Sequence, residues 1–174
     1  RDIAVAVLNP EGPPSTSVPL TVSLVAPVII NLSATQAIAG DTGFTLVING
    51  TGFNDTSVVR VNGAARAATF DPATGRLSIA ITPEDLGAPG TLAVTVTGPG
   101  GTSTASNLSV LRPTISSIAP GSIVAGSDNV VITVSGTSFL PTSQIVFRGT
   151  ARETVFNAAT GTLTTTLTAA DLTS

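Results

Sequence analysis

The chain has 174 residues, a net charge of -3, 42% hydrophobic residues and only 10% charged ones. Its seven basic residues are all Arg, and Lys, His, Cys, Met, Trp and Tyr are absent. This leaves no disulfide framework or thiolate metal site and no clustered cationic surface for nucleic acid; general acid–base chemistry falls to carboxylates alone, and no apolar run approaches the ~18 residues of a membrane span.

Strands are predicted from alternation of apolar and polar residues. The first two lie at residues 3–8 and 18–25, where Ile3, Val5 and Val7, then Val22 and Leu24, point one way. Pro27 opens the next stretch, since a proline is tolerated at the start of a strand. Phe44, Leu46 and Ile48 then alternate with Thr45, Val47 and Asn49. Val59 and Val61 follow, then Leu77, Ile79 and Ile81, then Leu92, Val94 and Val96, and finally Leu108 and Val110. One apolar face per strand, joined by short turns, predicts antiparallel sheets packed face to face. Asn62-Gly63 carries the strongest hairpin signal. Asp71-Pro72-Ala73-Thr74-Gly75 predicts a turn with glycine at a positive φ. Phe53 is expected in the core beside Ile48 and Val59.

The pattern then repeats. Residues 27–86 and 113–172 superpose at an offset of 86 without a gap and share 20 identical positions. Among them are Pro27/Pro113, Gly63/Gly149, Arg66/Arg152 and Phe70/Phe156. The second copy carries Val130, Ile132 and Val134, then Ile145 and Phe147, then Leu163 and Leu167, with Phe139 expected in its core. Thr165 interrupts the last apolar set, which predicts an edge position or a hydroxyl bonded to backbone. The period is too long for a solenoid coil and fits a small β-sandwich. Ala26-Pro27 and Arg112-Pro113 leave almost no linker, so adjacent domains are expected to be stiffly coupled.

The ends extend the pattern. Residues 3–7 match 92–96, residues 9–12 match 98–101, and residues 20–24 match the strand before the linker proline, with about three extra loop residues before it. The expected domains are therefore three. Residues 1–26 are the last two strands of a preceding repeat, 27–112 are a complete sandwich, and 113–174 are a second sandwich lacking its last two strands. Without an initiator Met or signal segment, the chain is expected to be a processed product or a window on a longer one.

The motif order Ala39-Gly40, Gly50-Thr51-Gly52-Phe53, Ser57, Val59, Asn62-Gly63, Leu77–Thr82, Pro83, Leu86 and Gly90 resembles the IPT/TIG domain. The resemblance covers 27–112, most of 113–174, and 1–26 as the tail of another copy. It implies an immunoglobulin-like sandwich, all-β and in tandem. Such domains serve as spacers in bacterial surface proteins, accessory modules of polysaccharide-acting enzymes, and parts of receptors and transcription factors. Ser138 departs from the glycine pattern, and the basic loops of the DNA-binding members are missing.

Several features invite chemistry and have plainer explanations. Gly50-Thr51-Gly52-Phe53 suggests a phosphate loop, but it lies between strands with no helix end to hold an anion. Asp41, Asn54, Asp55 and Asp71 lack the spacing of a calcium loop and suit turns. Glu84-Asp85 is a paired acid within one loop, and Glu84 becomes Ala170 in the repeat. Arg66 and Arg152 suit local pairing with an acid. Asn31-Leu32-Ser33, Asn54-Asp55-Thr56 and Asn107-Leu108-Ser109 are glycosylation-type triplets of a kind that arise by chance in a Thr-rich chain.

The expected protein is therefore not an enzyme, and no catalytic, cofactor or metal residue is assigned. It is a structural, extracellular bacterial repeat protein forming a stalk, surface layer or filament. Its expected partner is another copy, head to tail, or the continuation of a longer array. The strands that complete the neighbour's sandwich carry Ile3, Val5, Val7, Val22 and Leu24. The alternative is an adhesin or carbohydrate-binding module whose partner is a surface glycan. It needs an exposed aromatic platform, for which Phe147 and Phe156 are the candidates.

Overall fold

Alternating side chains become two-faced sheets, and the turns decide which strands become neighbours. The computed structural model describes residues 2–21 and 23–173. Apart from one 3-10 turn, Ala169–Leu172, its regular structure is all strand.

Strands β1 (Asp2–Val5) and β2 (Val18–Thr21) form an antiparallel ribbon of their own. Ile3 stands opposite Leu20 and Val5 opposite Val18. Opposed residues share a face, so these four apolar side chains lie together.

The first repeat contributes β3 (Val28–Leu32), β4 (Gln36–Ile38), β5 (Phe44–Thr51), β6 (Val58–Val61) and β7 (Ala64–Arg66). It continues with β8 (Ala68–Asp71), β9 (Arg76–Ile81), β10 (Gly90–Gly98), β11 (Gly101–Thr102) and β12 (Ser106–Leu111). One sheet runs β3-β5-β9-β8; the other runs β4-β12-β10-β6-β7, with β11 beside β10. These are the ABED and CFG orders of an immunoglobulin sandwich, with β7 added beyond strand C and β4 beyond strand G. The fold is all-β, as the alternation predicts, and immunoglobulin-like, as the resemblance implies. Leu46, Ile48, Val59, Val61, Leu77, Ile79, Ile81, Leu92, Val94, Val96, Leu108 and Val110 are all buried. Each contributes roughly 1.5–3 kcal/mol on burial.

One pairing departs from the antiparallel expectation, because β4 runs parallel to β12. The cause is a crossing near Ser33. Its N–H donates to the Val47 carbonyl at 2.8 Å and its hydroxyl accepts from Val47 N–H at 2.9 Å. Two residues later the Thr35 carbonyl accepts from Ser109 N–H at 2.9 Å. One stretch of chain thus edges both sheets without reversing, antiparallel to β5 and parallel to β12.

The second repeat contributes β13 (Thr114–Ala119), β14 (Val130–Thr137), β15 (Val146–Phe147), β16 (Thr150–Ala151), β17 (Val155–Asn157) and β18 (Thr162–Leu167). The order β13-β14-β18-β17 reproduces the β3-β5-β9-β8 sheet. Even the register shift after Ile29 recurs after Ile115. Among the described residues of 113–173 the remaining strands form the ribbon β15-β16. By Cα proximity the chain forms two compact units, Arg1–Ser33 with Leu46–Ile79 and Ala93–Ser106, and Ala34–Thr45 with Ala80–Leu92 and Asn107–Ser174. These boundaries do not follow the sequence period.

Local details explain residues shared by the two copies. Asn62 and Gly63 have φ of 49° and 82°, and Arg148 and Gly149 have 48° and 80°. Both are two-residue hairpin loops of the primed type, which needs positive φ at both positions. Gly50 and Gly136 answer to close approach instead. A Cβ on Gly50 would run into the Val28 carbonyl and the Phe53 ring, and one on Gly136 into the Thr114 carbonyl and the Phe139 ring. The same stacking corrects an expectation: Phe53 and Phe139 are half-buried rather than buried, because each ring covers a glycine backbone at a strand end.

Candidate interaction surface

Within residues 113–173 the buried hydrophobic residues are Ile132, Val134, Leu163 and Leu167. Ile123, Phe139, Ile145, Phe147, Phe156 and Leu172 pack against them only half-buried. The first repeat supplies the comparison. Val59, Val61 and Leu86, the counterparts of Ile145, Phe147 and Leu172, are 0%, 2% and 0% exposed. In the first repeat β10 lies beside β6 and β12 beside β4. Residues 113–173 hold no counterpart of β10 or β12 among the described residues. A groove of about 510 Å³ opens there, lined by Ile115, Ile118, Val134, Ile145 and Phe147 among others. A second hollow of about 290 Å³ reaches Ile123, Leu167 and Leu172.

The strands bordering the gap are also shortened. β6 has four residues where β15 has two, and residues 122–124, the counterpart of β4, form no strand. A strand keeps its geometry through its ladder partners, and among the described residues β15 has β16 alone, whereas β6 lies between β10 and β7.

The β1-β2 ribbon exposes an apolar face of its own. Ile3, Val5 and Val7 are 43%, 48% and 67% exposed, far more than buried counterparts in β10. Val22 lies outside the described residues. Leu24 is exposed and sits beyond the end of β2, so the predicted strand to residue 25 stops at Thr21. The structure adds Val18 and Leu20 to the apolar face. A sequence signal for the placement exists: Ser15-Thr16 repeats Ser103-Thr104. Val7 N–H donates to Ser15 Oγ at 3.0 Å and Ser15 N–H to the Val7 carbonyl at 2.9 Å. In the first repeat Val96 N–H donates to Ser103 Oγ at 3.0 Å and Ser103 N–H to the Val96 carbonyl at 2.8 Å. The ribbon is thus folded like the β10–β12 connection.

Charge at the groove is held locally. Arg152 Nη2 donates to Asp171 Oδ1, as its pairing with an acid predicts. Both Arg148 and Arg152 lie over the Phe147 ring, at 5.4 Å and 5.8 Å. Asp171 also accepts from the Thr168 N–H at 2.9 Å and hydroxyl at 2.8 Å. These Thr168 bonds, and then Arg152, hold its carboxyl below the ordinary value. Phe147 and Phe156, the candidates for an aromatic platform, are half-buried and packed against the core cluster.

The other polar candidates serve turns. Asp71 accepts from Ala73 N–H at 2.9 Å and the Thr74 hydroxyl at 2.6 Å. Asn54 Oδ1 accepts from Thr56 N–H at 3.0 Å and the Ser57 hydroxyl at 3.2 Å, and Asp41 Oδ1 from Thr42 N–H at 2.7 Å. Asp85 accepts from the Thr82 N–H and hydroxyl, both at 2.9 Å, while Glu84 is exposed. Among the described residues no three carboxylates gather as a metal site.

No family model and no curated protein matches the sequence. Among solved structures the chain is similar to the I9–I11 tandem from titin, with 11% identity and a TM-score of 0.48 over 82% of this chain and 56% of that one. It is also similar to SGBP-B from a complex xyloglucan utilization locus in Bacteroides uniformis, with 19% identity and a TM-score of 0.36 over 82% of this chain and 42% of that one. A third is the Sidekick-1 immunoglobulin domains 1–4, with 16% identity and a TM-score of 0.37 over 94% and 50%. The chain thus spans only about half of each of these structures.

Proposed function

We propose that the chain is a structural unit of an end-to-end array of IPT/TIG-type sandwiches, forming a stalk, surface layer or filament outside a bacterial cell. One observation carries the reading. The same sandwich sequence recurs at residues 27–86 and 113–172, with strands of the same kind at residues 2–21 and almost no linker at Ala26-Pro27 and Arg112-Pro113, which suits stiffly coupled domains stacked end to end. The IPT/TIG motif order supports the extracellular setting, and antibody labelling of intact producing cells tests it.

Sedimentation velocity over a concentration series tests the array. Growth from monomer to multimers, with rods under the electron microscope, is the expected outcome. A monomer at every concentration overturns it.

A further inference from the structure

We propose that the turn at residues 98–101 is a seat for the chain that enters the first sandwich, and that it holds Val25-Ala26-Pro27 as a rigid joint between repeats. This rests on the reading above of that segment as a junction in an array, and it names what keeps the junction from bending. A short linker limits reach but does not by itself stop rotation, because each residue keeps two soft dihedral angles. Here the three residues are held one by one. Pro27 is fully buried, and its ring fixes φ. Ala26 is half-buried, and the ring that follows it biases it to extended backbone. Val25 is 77% exposed, yet its carbonyl group lies against Gly100.

The seat draws on both sheets. Gly98 pairs with Gly101 where β10 turns into β11, and Gly52 follows the end of β5 in the other sheet. A Cβ on Gly98 would lie 3.5 Å from Pro27 Cδ, one on Gly52 3.2 Å from Pro27 Cα, and one on Gly101 3.6 Å from Ala26 Cβ. Gly100 is the tightest position. A Cβ there would run into the Val25 carbonyl and stand 2.7 Å from Ala26 N. These are backbone atoms, which cannot swing aside as a side chain can. Gly100 has no positive φ that would call for glycine. What the position requires of glycine is room for the entering chain.

Distances between two spin labels test the joint, and the chain has no cysteine of its own. Ala4→Cys on β1 and Thr69→Cys on β8 put exposed labels on either side of it. Dilution with unlabelled chain keeps the reading within one molecule. The labelled chain is expected to give one narrow distance distribution. Gly100→Ala is expected to broaden it about twofold or more, toward the spread of a flexibly linked pair, while the melting curve shows the sandwich still folded. Gly90→Ala is the control, since a Cβ there meets nothing within 4 Å and its φ is not positive; it is expected to leave the distribution narrow. Pro27→Ala keeps Gly100 but frees the φ of the seated residue, and is expected to broaden the distribution too, so the test stands even if Gly100→Ala does not fold. A broad distribution before any seat residue is changed overturns the proposal, and so does a narrow one that survives Gly100→Ala, or Pro27→Ala in its place. Multimers in sedimentation with a broad distribution sink the joint and leave the array standing. A monomer at every concentration with a narrow distribution sinks the self-assembling array and leaves the joint.

Discussion

Ser15 holds Val7 as Ser103 holds Val96. In each pair the serine hydroxyl accepts the valine N–H and the serine N–H reaches the valine carbonyl. The first pair is exposed and the second is buried, which separates assembly from folding. Ser103→Ala leaves the buried Val96 N–H without its acceptor and is expected to cost about 1–3 kcal/mol of folding stability. Ser15→Ala leaves an N–H that water can reach, so the melting curve stays in place. It is expected to loosen the ribbon by about 1 kcal/mol, roughly fivefold in assembly affinity. Urea unfolding and sedimentation equilibrium read the two effects.

A second contrast separates Leu108 from Leu20. Leu108 is 0% exposed, and Leu108→Ala is expected to cost about 2–5 kcal/mol through the cavity it leaves. Leu20 is 56% exposed, so Leu20→Ser is expected to leave the melting temperature within a degree or two (about 0.5 kcal/mol) while suppressing multimers. A large loss of stability from Leu20→Ser would place that side chain in a core of its own chain.

Gly50 and Gly136 tolerate no side chain. Gly50→Ala must move the Val28 carbonyl or the Phe53 ring, and Gly136→Ala the Thr114 carbonyl or the Phe139 ring. Each is expected to cost at least about 1–3 kcal/mol, the usual range for overpacking. Chemical denaturation checks both. Gly63→Ala is a useful companion, since nothing lies within reach of its Cβ and only its φ of 82° opposes the change.

Two residues of the second repeat stand in the left-handed region where other residues would be easier. Ser138 has φ of 59° at the position of Gly52, and Arg148 has 48° at the position of Asn62. Ser138→Gly and Arg148→Asn are each expected to raise stability by about 0.5 kcal/mol, as strain relief outweighs glycine's entropy cost or the lost Arg148–Phe147 contact. Calorimetry of the two variants should place their melting temperatures above that of the parent.

Acid should weaken the fold through Asp71 and Asp171. Both carboxyls lie below the ordinary 3.8, Asp71 through the Thr74 hydroxyl and Ala73 N–H, Asp171 through Thr168 and then Arg152. A depressed value means the folded state prefers the ionised form. This stability is complete above about 3.8 and is lost as pH falls through the lower folded values. Melting temperature is expected to drop in that window. Asp171→Asn should lower it at neutral pH and flatten the drop.

The alternation of Leu46 and Ile48, Leu77, Ile79 and Ile81, or Leu92, Val94 and Val96 was enough to give the sheets, because a strand's period puts every second side chain on one face. Asn62-Gly63 gave its hairpin for an equally local reason, the φ its two residues accept. The internal repeat also located Ile3 and Val5 as strand residues with the character of β10, whereas the strand expected over residues 3–8 ends at Val5 and leaves Val7 beyond it. What alternation leaves open is which strand lies beside which. The parallel β4–β12 pair exists because Ser33 ties the chain to one sheet and Thr35 to the other, and no local pattern encodes that crossing. Thr165 is buried, its hydroxyl donating to the Glu153 carbonyl at 2.7 Å. Sequence offered that role beside an edge position, and only the fold chose between them. The half-burial of Ile145 and Phe147 is likewise a tertiary fact. Their side chains have the same apolar character as Val59 and Val61, and burial depends on the strand that covers them.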